Sequence, residues 1–145
     1  MAKILVADDE VDLEMLIKQK FRRQIRERKY EFIFALNGSE ALNKLEEHPD
    51  VEVVLSDINM PVLDGLSLLT KLNEVSPLVK TVMVSAYGDM ENIRTAMNRG
   101  AFDFVCKPVN FQDLELTIEK TILHVAQIRE TLKAIQENNI LRMYV

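Results

Sequence analysis

The chain has 145 residues, of which 48% are hydrophobic and 28% are charged, and its formal net charge is −5. This length allows one domain with a core and at most a short appendage, and the negative charge argues against non-specific nucleic-acid binding through the whole surface. The single cysteine, Cys106, cannot form an internal disulfide and fits a reducing compartment. With no signal-peptide pattern and no stretch near the roughly 20 apolar residues of a membrane span, the sequence predicts a cytoplasmic protein.

Five short apolar runs alternate with amphipathic segments along most of the chain. The runs predict strands at residues 3–8, 30–36, 51–57, 81–86 and 101–106, and the segments between them predict helices at 11–28, 39–47, 65–74 and 90–98. Asp9 and Asp89 are expected to cap the first and the fourth of these helices, and Gly100 is expected to end the fourth. The alternation predicts an α/β fold in which a parallel sheet, joined by right-handed crossovers, is covered by helices on both faces.

The end of the first predicted helix is basic. Its cationic residues are Lys18, Lys20, Arg22, Arg23, Arg26, Arg28 and Lys29. The simpler interpretation is a solvated face whose charge complements the C-terminal end of the helix dipole. The alternative is a docking patch for an acidic partner.

The last predicted helix outgrows the domain. It starts after Asn110, a capping residue with Asp113 three positions on, and no helix-breaking residue follows. Heptad a positions fall at Ile118, Val125, Leu132 and Asn139, and d positions at Leu114, Thr121, Ile128, Ile135 and Arg142. We therefore expect residues 1–125 to form the domain and residues 126–145 to form a helical extension that links it to a missing output domain. A single helix with an apolar stripe needs a partner, which favours a parallel coiled-coil dimer; the alternative is a helix that folds back on its own domain.

Polar side chains follow four of the predicted strands at the point where each strand ends. Asp8 and Asp9 follow the first strand, Asp57 ends the third, Ser85 lies at the end of the fourth and Lys107 follows the fifth. Taken alone, Asp57 would be explained by helix capping or a salt bridge. However, parallel strands bring their carboxyl ends to one edge of the sheet, where open α/β sheets place their ligands. Crowded carboxylates repel each other unless a cation joins them, and oxygen ligands suit Mg²⁺.

With these motifs, residues 1–125 resemble the receiver domain of bacterial two-component response regulators, of the chemotaxis-regulator type. The motifs that carry the resemblance are Asp8–Asp9, Asp57 with Met60–Pro61 and Asp64–Gly65, Ser85–Ala86, and Lys107–Pro108. The resemblance implies a flavodoxin-like, doubly wound, five-stranded parallel sheet with strand order 2-1-3-4-5.

The resemblance also implies the chemistry. Asp57 would accept a phosphoryl group from a sensor histidine kinase or a phosphotransfer protein, with Mg²⁺ held by Asp8, Asp9, Asp57 and the backbone carbonyl of Asn59. Lys107 would supply an ammonium group, oriented by a cis bond to Pro108. Such a chain is not an enzyme in the usual sense, because it catalyses only its own phosphorylation and dephosphorylation.

Further roles carried by the resemblance concern switching. Ser85 would donate a hydrogen bond to a phosphoryl oxygen, and Phe104 would be the switch aromatic that turns inward, although Phe104 alone fits an ordinary core residue equally well. The surface that changes would be residues 90–125. Asn59 and Tyr87 would tune phosphate loss, and the bulky Tyr87 is expected to slow that loss relative to Tyr87→Ala.

Three other functions compete with a phosphoacceptor. A haloacid-dehalogenase-type phosphatase needs a second Asp as general acid two residues after the nucleophile, where this chain has Asn59. A flavodoxin-type cofactor binder needs a glycine-rich loop after the first strand, where Asp8, Asp9 and Glu10 would repel a phosphate. The third is a vestigial receiver that serves as a dimerisation or interaction module; the presence of all five site residues argues against it.

Overall fold

The computed structural model describes the backbone of residues 1–143 and the side chains of residues 1–139. Its five strands are all parallel and lie in the order β2-β1-β3-β4-β5, which confirms the predicted fold class and strand order. The strands are β1 Ala2–Ala7, β2 Tyr30–Ala35, β3 Val51–Asp57, β4 Lys80–Ala86 and β5 Asp103–Lys107. The helices are α1 Val11–Lys20, α2 Arg22–Arg26, α3 Gly38–Glu47, α4 Gly65–Val75, α5 Met90–Asn98 and α6 Phe111–Met143.

The sequence predicts one helix over residues 11–28, and this prediction was wrong because the segment forms two helices, α1 and α2. Phe21 separates them with a backbone conformation, φ −101° and ψ 19°, outside the helical range. Its ring is buried and packs against Phe32, with centroids 5.3 Å apart, and against Phe111 at 6.3 Å. The periodicity of the apolar residues continues across Phe21 and therefore gives no sign of the break.

Apolar side chains fill both faces of the sheet. On one face, Ile4 and Val6 of β1 pack with Ile17 of α1 and with Leu114 and Ile118 of α6. On the other face, Leu5 and Ala7 pack with residues of α3 and α4. Because both faces of β1 and β3 are covered, these strands are continuous apolar runs rather than alternating ones.

Three helices begin with a side-chain cap, and two predicted caps are absent. Asn37 accepts from the Glu40 N–H at 2.8 Å, Asp64 from the Ser67 N–H at 2.7 Å, and Asn110 from the Gln112 N–H at 3.0 Å. The N-cap residue of α1 is Glu10, so the prediction of Asp9 at that position was wrong. Asp89 does occupy the N-cap of α5, but its side chain makes no capping hydrogen bond.

Helix α6 is one continuous helix that loses contact with the domain part-way along. Leu114, Ile118 and Val125 are buried, whereas Leu132 and Ile135 are 40% and 49% exposed. Arg129 lies 3.6 Å from Glu52, and all residues from 131 to 139 are exposed. The predicted d position Arg142 lies outside the described side chains. The apolar stripe thus continues beyond the part of α6 that this chain covers.

None of the helices in the described residues is long and apolar enough to span a membrane.

The loop between β3 and α4 closes tightly on the end of β3 at Gly65. The Gly65 N–H donates to the Ile58 carbonyl at 2.9 Å. A Cβ at Gly65 would lie 2.1 Å from the Asp57 carbonyl oxygen and 2.9 Å from the Ile58 Cα. Both obstacles are backbone atoms, so no side-chain rotation could relieve the overlap.

Replacing Gly65 with alanine is expected to lower the free energy of unfolding by about 3 kcal/mol, because the backbone around Asp57 must move to admit the methyl group. The matched control is Gly88→Ala. Gly88 has φ 87° and open space around it, so this change should cost only about 1 kcal/mol of backbone strain. Urea denaturation measures both values, and equal losses in the two variants would contradict the steric explanation.

Candidate functional site

The register of the sheet brings the predicted site residues to one edge. Ala7 pairs with Ser56, so the next residues, Asp8 and Asp57, lie side by side at the ends of β1 and β3. On the other side of β3, Ala86 at the end of β4 pairs with Lys107 at the end of β5. Because all strands are parallel, their polar terminal residues share the carboxyl edge of the sheet, as expected.

The ammonium group of Lys107 lies among three carboxylates. Its Nζ is 3.1 Å from Asp57 Oδ2, 3.2 Å from Asp8 Oδ2 and 3.7 Å from Glu10 Oε1. The Lys107–Pro108 peptide bond is cis, as predicted. Burial alone would lower the pKa of Lys107, but its interactions with Asp57 and Asp8 outweigh burial and raise that pKa above its ordinary value. Lys107 is therefore a fixed positive charge beside Asp57.

Asp57 is a carboxylate in an unfavourable environment. It is only 8% exposed, and Asp8 beside it is 5% exposed. Burial raises the pKa of Asp57 above its ordinary value, and the negative charge of Asp8 adds to this shift. Lys107 and the Asn59 N–H, which donates to Asp57 Oδ1 at 3.4 Å, act in the opposite direction without cancelling it.

The acidic side chains fit a divalent cation. Ligand oxygens of Asp8, Asp9 and Asp57 all lie within 4.8 Å of one another. Asp8 Oδ1 accepts from the Glu10 N–H at 2.9 Å, whereas the buried Oδ2 has no hydrogen-bond partner beyond its ion pair with Lys107. An all-oxygen donor set with an excess of negative charge is what Mg²⁺ prefers. Asp9, rejected as a helix cap, belongs to this cluster instead.

Ser85 lies at the same edge, but its hydroxyl is directed to another acceptor. Ser85 is buried, and its Oγ lies within hydrogen-bond distance of Asp89 Oδ2, at 3.4 Å, and of the Ala86 carbonyl oxygen, at 3.5 Å. Asp89 Oδ2 also accepts from Asn92 Nδ2 at 3.0 Å. The failure of Asp89 to cap α5 is thereby explained, because its carboxylate contacts the end of β4.

The predicted switch aromatic and the two predicted tuning residues are on the surface. Phe104 is 38% exposed and Tyr87 is 88% exposed. The side chain of Tyr87 is therefore not packed over Asp57 in this structure, and Asn59 is likewise exposed.

Comparison with known proteins identifies the family. Residues 4–119 match the family model described as the response regulator receiver domain. The chain belongs to this receiver domain family. A solved receiver domain from Clostridium thermocellum superposes with a TM-score of 0.75 at 31% identity, covering 88% of this chain and 99% of that one.

Curated relatives of this receiver domain are larger proteins. The transcriptional regulatory protein ZraR of Escherichia coli K12 is 29% identical over 86% of this chain and 27% of its own length. The regulatory protein AtoC of the same strain is 32% identical over 83% of this chain and 25% of its own length. The receiver domain thus spans about a quarter of the curated relatives that it matches. As a family, receiver domains are phosphorylated, bind Mg²⁺ at an acidic pocket and interact with histidine kinases or phosphotransfer proteins.

Sequence analysis missed two contributors to the site of this receiver domain. Glu10 was noted only as a charge that repels phosphate, yet its carboxylate reaches Lys107. Asp89 was assigned to helix capping, and its contact with Ser85 was not foreseen. The position of Glu10 directly after Asp8–Asp9 could have indicated its place in the site. Nothing in the sequence indicates the direction of the Asp89 side chain.

The charge on Asp57 should make the folded receiver domain less stable at neutral pH. Because the pKa of Asp57 is raised above its ordinary value of 3.8, the folded state binds this proton more tightly than the unfolded chain does. The stability that the bound proton contributes is fully present below the ordinary pKa and is lost as the pH rises through the folded-state pKa. Asp57→Asn removes the charge and keeps an oxygen that can accept from Lys107. In metal-free buffer at about pH 7 it should raise the free energy of unfolding by about 1–3 kcal/mol.

This gain should shrink at about pH 4, because the raised pKa of Asp57 leaves more of that carboxyl group protonated there than an ordinary aspartate would be. Urea denaturation in the presence of a chelator at both pH values measures it. Asp113→Asn, which changes an exposed carboxylate in the first turn of α6, is the control and should alter stability little. A gain that is the same at both pH values would contradict the assignment to Asp57.

Proposed function

We propose that this receiver domain accepts a phosphoryl group on Asp57 from a sensor histidine kinase or a phosphotransfer protein, with Mg²⁺ bound by Asp8, Asp9, Asp57 and the backbone carbonyl of Asn59. The observation that supports this most is the position of Lys107, whose ammonium group contacts both Asp57 and Asp8 at the carboxyl edge of the sheet. A partly buried ammonium group beside a carboxylate that caps no helix is what a reaction with an anionic group requires.

The transfer is a displacement at phosphorus. A carboxylate oxygen of Asp57 forms the new P–O bond while the bond from phosphorus to the donor nitrogen breaks, and the donor imidazole keeps that electron pair. Mg²⁺, when bound, supplies positive charge that offsets the repulsion between the carboxylate and the phosphoryl oxygens. Lys107 holds a second positive charge at Asp57 Oδ2, and the Asn59 N–H holds Oδ1. On this proposal the chain acts on no substrate other than its own phosphoryl group.

Phosphate loss needs a water molecule that reaches the phosphoryl group. Asn59 and Tyr87 flank the site from the β3–α4 and β4–α5 loops, and both are exposed. Because both loops follow strand ends at the carboxyl edge of the sheet, we propose that these two side chains tune the access of that water.

Incubation of the wild type with acetyl phosphate and Mg²⁺ should add one phosphoryl group, detected by intact-protein mass spectrometry. Asp57→Asn should add none, because an amide oxygen is too weak a nucleophile. The matched control is Asp64→Asn, which keeps an N-cap for α4 and should be phosphorylated like the wild type.

Removing Mg²⁺ with a chelator should abolish the reaction. If the wild type stays unmodified under all of these conditions, the proposal fails and a vestigial receiver that serves as an interaction module becomes the better description.

We further propose that phosphorylation moves the hydroxyl of Ser85 from Asp89 to a phosphoryl oxygen. In this structure Ser85 Oγ contacts Asp89 and not Asp57, so the two acceptors would compete for one hydroxyl. The move would vacate space near β5 that the half-exposed ring of Phe104 could fill, altering the surface of residues 90–125. The hydrogen bond to Asp89 thus stabilises the unphosphorylated state.

Asp89→Ala should tighten the apparent binding of beryllofluoride with Mg²⁺ about fivefold, because a hydrogen bond worth about 1 kcal/mol no longer opposes the movement of Ser85. The chain has no tryptophan whose fluorescence could report binding, so the affinity is measured by isothermal titration calorimetry. Asn92→Ala is the control, since it removes the other donor to Asp89 and leaves Ser85 bonded. Unchanged affinity in Asp89→Ala would disprove the competition.

The output is proposed to run through α6. Residues 1–125 would form the receiver domain, and the helix from residue 126 onward would be a linker that forms a parallel coiled-coil dimer. Support comes from the exposed stripe at Leu132 and Ile135, which continues the buried stripe of Leu114, Ile118 and Val125.

Sedimentation equilibrium should show that the wild type is a dimer. In Leu132→Ser/Ile135→Ser the dissociation constant of this dimer should rise about tenfold or more, because the apolar contacts between the two helices are lost. Glu130→Ser/Lys133→Ser, at exposed positions off the stripe, should leave the constant nearly unchanged. A monomeric wild type would disprove the coiled coil. An identical constant with and without beryllofluoride would disprove the coupling to phosphorylation.

A further inference from the structure

A groove lies between α1, α2 and β2, the edge strand of the sheet. It has a volume of about 680 Å³. Its basic lining residues are Lys18, Arg22, Arg26 and Arg28, and Glu31 is the acidic one. The sequence left open whether the basic end of the first helix is a solvated face or a docking patch, and the structure shows that part of it lines a concave surface.

Most of the positive charge in this groove is uncompensated. Lys18 is paired with Glu14 at 2.9 Å, and Glu31 lies 3.7 Å from Lys3. Within residues 1–139, no carboxylate lies within ion-pair distance of Arg22, Arg26 or Arg28. Three free guanidinium groups therefore border the groove of a protein whose net charge is −5. The other basic residues of the run differ, since Arg23 is paired with Glu27 and Lys29 with Glu119.

The floor of the groove is aromatic. Alternation along β2 places Tyr30, Phe32 and Phe34 on one face of the strand. Tyr30 is buried, whereas Phe32 and Phe34 are half-buried and stack at a centroid distance of 6.4 Å. The ammonium of Lys18 lies 5.5 Å from the centroid of Phe34. Apolar rings are thus bordered by cations, which suits an occupant with both apolar and anionic groups.

The groove also follows an unpaired strand edge. β2 is hydrogen-bonded to β1 alone, so the main-chain groups on its outer side have no strand partner among the described residues. Such an edge can recognise the main chain of another polypeptide, which a lipid surface or a nucleic acid does not offer.

We propose that this groove binds an acidic polypeptide segment that also carries apolar side chains. The carboxylates would pair with Arg22, Arg26 and Arg28, and the apolar side chains would lie on Phe32 and Phe34. This site shares no residue with the phosphoacceptor site, so it can fail without affecting the function proposed above, and the reverse also holds.

The experiment is a display selection of random short peptides on the full chain, followed by NMR titration of the tightest peptide. Enriched peptides should combine Asp or Glu with apolar residues, and the amide shifts should map to α1, α2 and β2. Affinity should fall about tenfold or more in Arg22→Glu/Arg26→Glu and should weaken with added salt.

The matched control is Lys20→Glu/Arg23→Glu, which makes the same change in net charge at exposed residues outside the groove, one on α1 and one on α2. It should lower affinity less than threefold, roughly, since only long-range charge is altered. Thermal unfolding of both variants checks that they are folded.

Several results would overturn the proposal: no enrichment over a blank surface, enriched peptides without acidic residues, shifts that map elsewhere, or equal loss in the two charge-reversal variants. Single-stranded DNA and phosphatidylserine vesicles are the remaining probes. Suppose that no acidic peptide is enriched, that the DNA or the vesicles bind, and that Arg22→Glu/Arg26→Glu abolishes this binding. The groove would then be assigned to that class of ligand instead.

Discussion

The site depends on one electrostatic balance, in which the ammonium of Lys107 holds together carboxylates that would otherwise repel each other. Asp57 and Asp8 are both almost fully buried and adjacent at the ends of β1 and β3. Lys107 contacts both, yet burial and the charge of Asp8 still leave the pKa of Asp57 raised. One cation is thus not enough for the negative charge gathered there. The remaining negative charge would favour the binding of a further cation.

The rest of the fold serves to keep this arrangement in place. Parallel pairing with a fixed register delivers four strand ends to one edge, and the apolar clusters on both faces hold the strands in that register. The close approach of Gly65 to the Asp57 carbonyl then fixes the loop that follows Asp57. Stability and site geometry are in this way specified by the same short stretch of chain.

Much of this architecture could be predicted from sequence because it depends on strong local signals. Apolar runs that stop at a charged residue marked the strands and placed Asp8, Asp57 and Lys107 together. Features decided by side-chain direction could not be predicted. The break at Phe21 comes from the packing of its ring, and the attachment of Asp89 to Ser85 rather than to the start of α5 depends on a rotamer. The groove beside β2 could not be predicted either, because it depends on how a strand and two helices lie relative to one another, and sequence periodicity does not give that arrangement.

The unbroken course of α6 has a mechanical consequence. Its base packs in the core at Leu114 and Ile118, Arg129 still lies 3.6 Å from Glu52, and residues 131–139 are all exposed. The 18 helical residues from 126 to 143 measure about 27 Å at 1.5 Å per residue, so a tilt of about 10° at the base carries the tip about 5 Å sideways. A tilt of this size would move the tip about as far as the spacing between neighbouring strands.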